Sequence, residues 1–236
     1  MNQIDKLVAL CHHRWAIPVM AELSRLHGEA KFVQLTFRLG ISPDSLKHTL
    51  RALTGQGRVR RNPGYGHPMR PEYLLTVAGQ RLAPACDRLM RSAERLGLGD
   101  VVLRKWTLPT LFVLIVSQGG LRFSEMREQI SPITPRALAQ SLKEMEHAGL
   151  IDRDVADTYP PSVTYRVARL GRRMAPSLGR LVAGLLLKGK RCNAGTQVGR
   201  SIIAEADSID REAPHKTRPF LDHKSGHRTP FQVRRY

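Results

Sequence analysis

Two segments of the 236-residue chain carry polar and basic side chains at helical spacing, each behind a hydroxyl residue and a proline. The first segment opens at Ser42-Pro43 and the second at Thr134-Pro135. Guanidinium and amide groups can form paired hydrogen bonds with base edges, and cationic side chains can neutralise phosphates. The side chains predicted to lie on the exposed faces of these segments are Asp44, Ser45, Lys47, His48 and Arg51 in the first, and Arg136, Ala137, Gln140, Ser141 and Lys143 in the second.

The overall charge fits an anionic partner. The chain has 38 Lys and Arg against 20 Asp and Glu, a formal net charge of +18. Such a charge indicates nucleic acid, an acidic membrane surface or an acidic protein as partner. A hydrophobic content of 42% predicts a packed core and excludes a wholly disordered chain. The apolar runs fall short of the ~20 residues of a membrane span, and no secretion signal is evident.

Cysteine usage indicates a reducing compartment. The three cysteines, Cys11, Cys86 and Cys192, cannot all pair with one another and form no CxxC motif. We therefore expect reduced thiols, as in a cytosol.

The chain contains an internal repeat. The segment from Arg14 to Pro18 reappears, with substitutions, from Lys105 to Pro109, an offset of 91 residues. From Ile41 and Ile133 onward the offset is 92, and it aligns Gly57 with Gly149, Tyr73 with Tyr165, and Gly79 with Gly171. Glycine and proline mark special backbone positions, so this register is not chance. The predicted domains are residues 1–96 (copy one), residues 97–187 (copy two) and a basic tail, residues 188–236.

Each copy reads as helix, helix, capped helix, hairpin and helix. Ser42 and Thr134 are expected to cap the third helix, because a hydroxyl accepts an orphan backbone N–H and proline suits the first helical turn. Gly57 and Gly149 should end that helix in the left-handed conformation. Two strands and a turn-rich tip follow, and Thr76 is expected to cap the last helix of copy one. We also expect Ser124 to cap the second helix of copy two. The fold class is mainly α with small β-hairpins (α+β), two tandem winged helix-turn-helix domains plus the tail.

The motifs resemble those of one bacterial family. The segments that carry the likeness are Arg122–Met126, Ile133–Gln140, Glu146–Ile151 and Tyr159–Val167. They are similar to HxlR-type winged helix-turn-helix transcriptional regulators, and copy one retains Arg14-Trp15, Ile41-Ser42-Pro43 and the segment 73–79. The resemblance covers residues 7–187. It implies double-stranded DNA binding through the capped helix and the wing, usually as a two-fold dimer held by terminal helices. It also implies a cytoplasmic, bacterial protein that is associated with the nucleoid when it is bound to DNA.

The sequence departs from that family in two ways, and each limits which family properties are expected of this chain. Members have a cysteine about a dozen residues before the tryptophan, whereas Cys11 lies four residues before Trp15, so a redox-sensing role is not transferred. Members are also usually single-copy. The two copies here therefore either form an internal pseudo-dimer or each pair with a second chain as a homodimer.

Groove geometry assigns different tasks to the two copies. On α-helices that enter the major groove, Arg136 can pair with guanine and Gln140 with adenine, while Lys47, Arg51 and Lys143 contact phosphates. We expect copy one to supply mainly electrostatic affinity for the phosphates, and copy two to supply mainly base readout. The predicted DNA-binding residues are Ser42, Ser45, Lys47, His48, Arg51, Arg60, Arg61, Arg70, Thr134, Arg136, Gln140, Ser141, Lys143 and Arg153.

Other classes of function find little support in the sequence. No P-loop, GxSxG or HExxH motif is present, so no enzyme is predicted, and neither a cofactor nor a metal site is expected. A winged-helix module that binds proteins and touches nucleic acid only weakly is the alternative. The basic tail is expected to be disordered, and it either adds non-specific phosphate affinity or acts as a spacer.

Overall fold

The computed structural model describes residues 2–62, 71–157, 159 and 162–186. Copy one contains helices α1 (Gln3–Cys11), α2 (Ala16–Arg25), α3 (Phe32–Leu39), α4 (Pro43–Gly55) and α5 (Val77–Arg95), with strands β1 (Glu29–Lys31), β2 (Val59–Asn62) and β3 (Glu72–Leu75). Copy two contains α6 (Gly99–Val102), α7 (Thr107–Ser117), α8 (Phe123–Gln129), α9 (Pro135–His147) and α10 (Arg169–Leu186), with β4 (Leu121–Arg122), β5 (Ile151–Ala156) and β6 (Ser162–Val167). The predicted fold class is confirmed, and the predicted tail lies outside the described residues.

Each copy folds a three-stranded antiparallel sheet beside its helices. The strand orders are β1-β3-β2 and β4-β6-β5, so the hairpin predicted from the sequence is extended by a third, short strand. Tyr73 pairs with Ala30 and Arg61 in copy one, and Tyr165 pairs with Leu121 and Arg153 in copy two. The equivalent tyrosines therefore hold equivalent positions in the two central strands. The short strands β1 and β4 were not predicted, because two or three residues show no alternation.

The capping predictions hold with one exception. The Thr76 hydroxyl accepts from the Gly79 backbone N–H at 3.1 Å, and Gly57 and Gly149 adopt φ of +65° and +69°. The prediction that Ser124 caps α8 is wrong, because that helix begins one residue earlier, at Phe123. Arg122 precedes the helix, and its backbone N–H donates to Glu125 Oε2 at 2.7 Å, so the acidic side chain three residues on does the capping.

An additional helix precedes the first one predicted. Helix α1 begins after Asn2, whose side chain accepts from the Asp5 backbone N–H at 2.8 Å while Asp5 accepts from the Asn2 backbone. Its buried residues Leu7, Leu10 and Cys11 join the core. The reciprocal capping pair was present in the sequence as an Asn followed three residues later by Asp, and it is the signal that identifies this helix.

One hydrophobic core runs through both copies. Helix α5 packs along α10, and α1 packs against α7 and α10. At Gly184 on α10, an added Cβ would lie 3.2 Å from Leu82 Cδ1 and 3.7 Å from the Leu82 Cα, so the two terminal helices approach closely there. Leu82 and Leu89 of α5 and Leu178 and Leu185 of α10 are buried in the shared core. The terminal helices therefore join the copies within one chain.

Both cysteines of the described chain lie in this core as free thiols. Burial raises the pKa of Cys11 to about 12 and raises the pKa of Cys86 as well. A thiol with a raised pKa stays protonated near neutral pH, and the thiolate is the reactive form. Cys86 is thus the small buried residue that its position on the last helix of copy one suggests.

Two further observations concern membrane insertion and metal binding. No helix in the described part of the chain is long and apolar enough to cross a membrane. Among the described residues there is no group of three or more His, Cys, Asp and Glu side chains that could hold a metal ion.

Replacing Gly171 with alanine should destabilise the protein. A Cβ there would lie 2.2 Å from the Leu150 carbonyl oxygen and 2.8 Å from Val167 Cγ1, where α10 passes the start of β5. We expect a loss of about 1–3 kcal/mol in the free energy of unfolding, since overpacking against backbone cannot relax cheaply. The measurement is urea denaturation followed by circular dichroism.

Gly55 provides the matched control for that substitution. It lies at the end of α4, where an added Cβ would meet no neighbouring heavy atom within 4 Å. Gly55→Ala should leave the denaturation midpoint unchanged or raise it slightly, because alanine favours a helix. Equal midpoints for Gly171→Ala and the wild type would contradict the close approach at Gly171.

Candidate nucleic-acid interface

The hydroxyl caps set the first turns of α4 and α9. Ser42 Oγ accepts from the Ser45 backbone N–H at 3.3 Å and donates to Ser45 Oγ at 2.9 Å. Thr134 Oγ1 accepts from the Ala137 backbone N–H at 3.2 Å. Both caps are solvent-exposed and Ser45 is half-buried. Three of the predicted DNA-binding residues thus hold the helix N-termini, whose backbone dipoles favour anions.

In copy one, the exposed face of α4 carries Lys47, His48 and Arg51. Neither Lys47 nor Arg51 forms an ion pair with any part of the chain that the structure describes. Asp44 is exposed in the first turn of the same helix, where its charge suits the helix dipole. The face therefore presents cations suited to phosphates beside an acid that phosphates would avoid.

His48 lies near the end of α1. Partial burial lowers the pKa of His13, and the nearby His12 and His48 lower it further, because each disfavours a second positive charge. The His12 and His13 rings are 5.1 Å apart, edge to face. The His13 and His48 side chains therefore lie close enough for their charges to interact.

In copy two, Arg136 and Lys143 are exposed on α9, and no ion pair engages either of them within the described ranges. Gln140 is also exposed, but its Nε2 donates to Glu144 Oε1 at 2.6 Å. The same carboxylate oxygen accepts from Arg104, in the loop before α7. Sequence reasoning overlooked Glu144, although a Gln and a Glu four residues apart on a helix are expected to meet.

The prediction that Ser141 lies on the exposed face of α9 is wrong. Its exposed fraction is 6%, and its hydroxyl donates to Met145 Sδ at 3.7 Å. Ser141 lies three residues after the buried Leu138, on the face that packs inward. Its counterpart Thr49 is buried in the same way and donates to the Ser45 carbonyl at 2.8 Å. Neither side chain is available to a duplex.

The wings differ in charge. Arg60 and Arg61 are exposed on β2 and Arg153 on β5, while Arg70 lies outside the described residues. In copy two, exposed Asp152, Asp154 and Asp157 share the wing with Arg153, and Asp154 Oδ2 lies 3.3 Å from Arg166 Nη1. Acidic side chains therefore reduce the positive charge of the second wing, whereas the described part of β2 carries arginines without acids.

Two buried carboxylates hold an ion network between the helices of copy one. Glu22 and Asp87, 4% and 7% exposed, are bridged by Arg25, which lies 3.5 Å from Glu22 and 2.7 Å from Asp87. Arg38 of α3 pairs with Glu22, and Arg91 of α5 pairs with Asp87. The network ties α2, α3 and α5 together. Copy two has Val113 and Gly179 at the positions of Glu22 and Asp87, so its equivalent helices pack without charge.

Comparison with known families and proteins agrees with the two-copy architecture. The model of the HxlR-like helix-turn-helix family matches the chain twice, over residues 10–97 and 101–185. A transcriptional regulator of the helix-turn-helix type from Methanothermobacter thermautotrophicus is 39% identical over 77 residues, which are 33% of this chain and 57% of that protein.

Two regulators of the same type from Bacillus subtilis are also similar. YvaP is 32% identical over 82 residues, which cover 35% of this chain and 74% of YvaP. YdeP is 38% identical over 77 residues, which cover 33% of this chain and 59% of YdeP. Each match spans about the length of one copy, and the chain spans under two thirds of two of these three relatives. The two family matches, in contrast, cover most of the chain, and each includes one capped helix and one hairpin. The chain belongs to the HxlR-like helix-turn-helix family.

Proposed function

We propose that the chain is a sequence-specific, double-stranded DNA-binding transcriptional regulator. Arg136 and Lys143 carry the proposal, because they are exposed cations, not engaged in ion pairs with the described residues, on a helix whose capped N-terminus favours anions. A capped helix of this kind fits the major groove, where base edges can be distinguished. The relatives are named as transcriptional regulators and none of those compared is named as an enzyme.

Within this function, the copies divide the work. On α9, Arg136 can donate two hydrogen bonds to guanine, while Lys143 lies on the same helix as a phosphate contact. On α4 the position of Arg136 is taken by Asp44, which cannot pair with guanine acceptors. Copy one therefore contributes sequence-independent affinity for phosphates through Lys47, Arg51 and the arginines of its wing. Gln140 can read adenine only after it exchanges its hydrogen bond to Glu144.

A protein-binding module is the second candidate, and one observation favours it. Val33 and Phe37, four residues apart on α3, are 76% and 84% exposed. Their counterparts in copy two are Ser124 and Glu128, so the apolar pair is peculiar to copy one. Exposed aromatic and aliphatic neighbours are more typical of a protein contact than of a phosphate contact.

Competition binding separates the two candidates. A labelled duplex from the protein's own upstream region should resist a large excess of random duplex if binding is sequence-specific, and should be displaced if it is not. In Arg136→Ala the preference for the labelled duplex should fall about tenfold or more, since a lost bidentate base contact costs about 1–3 kcal/mol. Arg180→Ala, an exposed arginine of α10 with the same change in charge, is the control. Equal losses in both variants would reduce the role of Arg136 to net charge.

Arg61→Ala tests the division of work. Because a phosphate contact positions the protein without reading sequence, this change should weaken specific and random duplexes by similar factors and lower the slope of log affinity against log salt by about one. Fluorescence anisotropy at several salt concentrations provides the measurement. A change of sequence preference in Arg61→Ala, together with a uniform loss in Arg136→Ala, would reverse the assignment.

We also infer that the two copies act as an internal pseudo-dimer. The close packing of α5 on α10 supports this, because terminal helices that are buried against each other within one chain are not free to pair with a second chain. The protein should therefore have a mass of 26.5 kDa in solution, measured by light scattering across a range of concentrations. A doubled mass at micromolar concentration would contradict the inference and favour four winged helices per assembly.

A further inference from the structure

A cavity of about 380 Å³ lies where the two copies meet. Copy one contributes the end of α1 and the loop that follows it, and copy two contributes the loop before α7 and one side of α9. The volume is within the range of small-molecule sites, about 300–1,000 Å³. The lining residues are Cys11, His12, Arg14, Leu103, Arg104, Lys105, Trp106, Ala137, Gln140, Ser141 and Glu144.

The walls of the cavity combine an aromatic surface with positive charge. Trp106 is half-buried, and Lys105 Nζ lies 4.6 Å from the centre of its ring. Three lining side chains, Arg14, Arg104 and Lys105, are cationic. Arg14 is paired with Asp100 at 2.8 Å, and Arg104 is paired with Glu144, the acid of the lining. A flat apolar body can stack on an indole, and a carboxylate pairs with a guanidinium through two parallel hydrogen bonds. The lining therefore matches a small molecule that carries both groups.

One of these cations connects the cavity to the recognition helix of copy two. The Arg104 side chain, 50% exposed, is paired with the Glu144 side chain, which is 19% exposed. Glu144 also accepts from Gln140, the predicted adenine-reading side chain. A carboxylate bound at Arg104 would compete with Glu144 for the guanidinium. It would leave the Glu144 charge less neutralised on α9, the helix that is proposed to contact DNA.

We propose that this cavity is an effector site for a small aromatic carboxylate, whose occupancy weakens DNA binding through Arg104, Glu144 and Gln140. The ligand site itself is inferred from the lining residues alone. Its effect on DNA rests on the proposed function, so the two parts are measured separately.

The ligand site is tested without DNA, by isothermal titration calorimetry of the full chain with 2-naphthoate. The neutral analogue 2-naphthylmethanol should bind about tenfold or more weakly, and inorganic phosphate should not compete, if both the ring and the carboxylate are recognised. The site would be overturned if naphthoate did not bind, or if naphthoate and the alcohol bound with equal affinity. It would also be overturned if phosphate competed with an affinity equal to that of naphthoate.

Two substitutions with opposite expected effects guard against misfolding as an explanation. Arg104→Gln should weaken 2-naphthoate by about tenfold or more, because it removes the guanidinium. Glu144→Gln should strengthen it, because it removes the competing carboxylate, and general damage to the fold cannot produce tighter binding. Arg180→Gln, exposed on α10, is the charge-matched control and should leave affinity unchanged. Weakening in both Arg104→Gln and Glu144→Gln would overturn the proposed competition.

The effector role is tested by linkage. Saturating 2-naphthoate should lower the affinity for the labelled upstream duplex about fivefold or more, and the duplex should lower naphthoate affinity by the same factor, since coupling is reciprocal. Naphthoate binding with unchanged DNA affinity would overturn the effector role but leave the ligand site. Absence of DNA binding under all conditions would overturn the proposed function and the effector role together, while the calorimetry would still decide the ligand site.

Discussion

The packing of α5 against α10 is the interaction on which the rest of the structure depends. It makes one continuous core out of two repeats, and Gly184 permits the close approach to Leu82. Helix α1 reinforces the arrangement by lying against α7 and α10 of the other copy. Burial of apolar surface stabilises this contact, because the apolar faces of α5 and α10 are removed from water only when the two copies pack together. The relative positions of the two capped helices follow from this contact.

Within that shared framework the copies have diverged in electrostatics more than in shape. Copy one holds its helices with partly exposed arginines that pair with the buried carboxylates of Glu22 and Asp87, whereas copy two has apolar and small residues at these two positions. A buried carboxylate is costly unless it is paired, and both of these are paired with two arginines each. The exposed faces differ as well, with Asp44 where copy two has Arg136. Duplication of one domain has thus produced two surfaces with different chemistry.

The junction between the copies adjoins the surface that is proposed to read DNA. Arg104 belongs to the loop before α7, and through Glu144 it reaches Gln140 on α9. Side chains from both copies therefore surround a cavity that is lined on one side by α9. A single-copy relative can build such a junction only by pairing with a second chain, while here the fusion places both sides in one polypeptide.

The sequence by itself determined the elements whose signals are local. Ser42, Thr134 and Thr76 mark helix starts, Gly57 and Gly149 mark helix ends, and the repeated register indicates two copies, because caps, left-handed turns and periodicity depend on neighbouring residues only. Tertiary structure decided what depends on distant residues. Ser141 was assigned to the wrong face because the edge of a helical stripe is ambiguous until its neighbours are placed. The short strands β1 and β4, the pairing of Arg25 with Asp87 and the cavity beside Trp106 join segments far apart in the chain, and their energies come from contacts that no local pattern encodes.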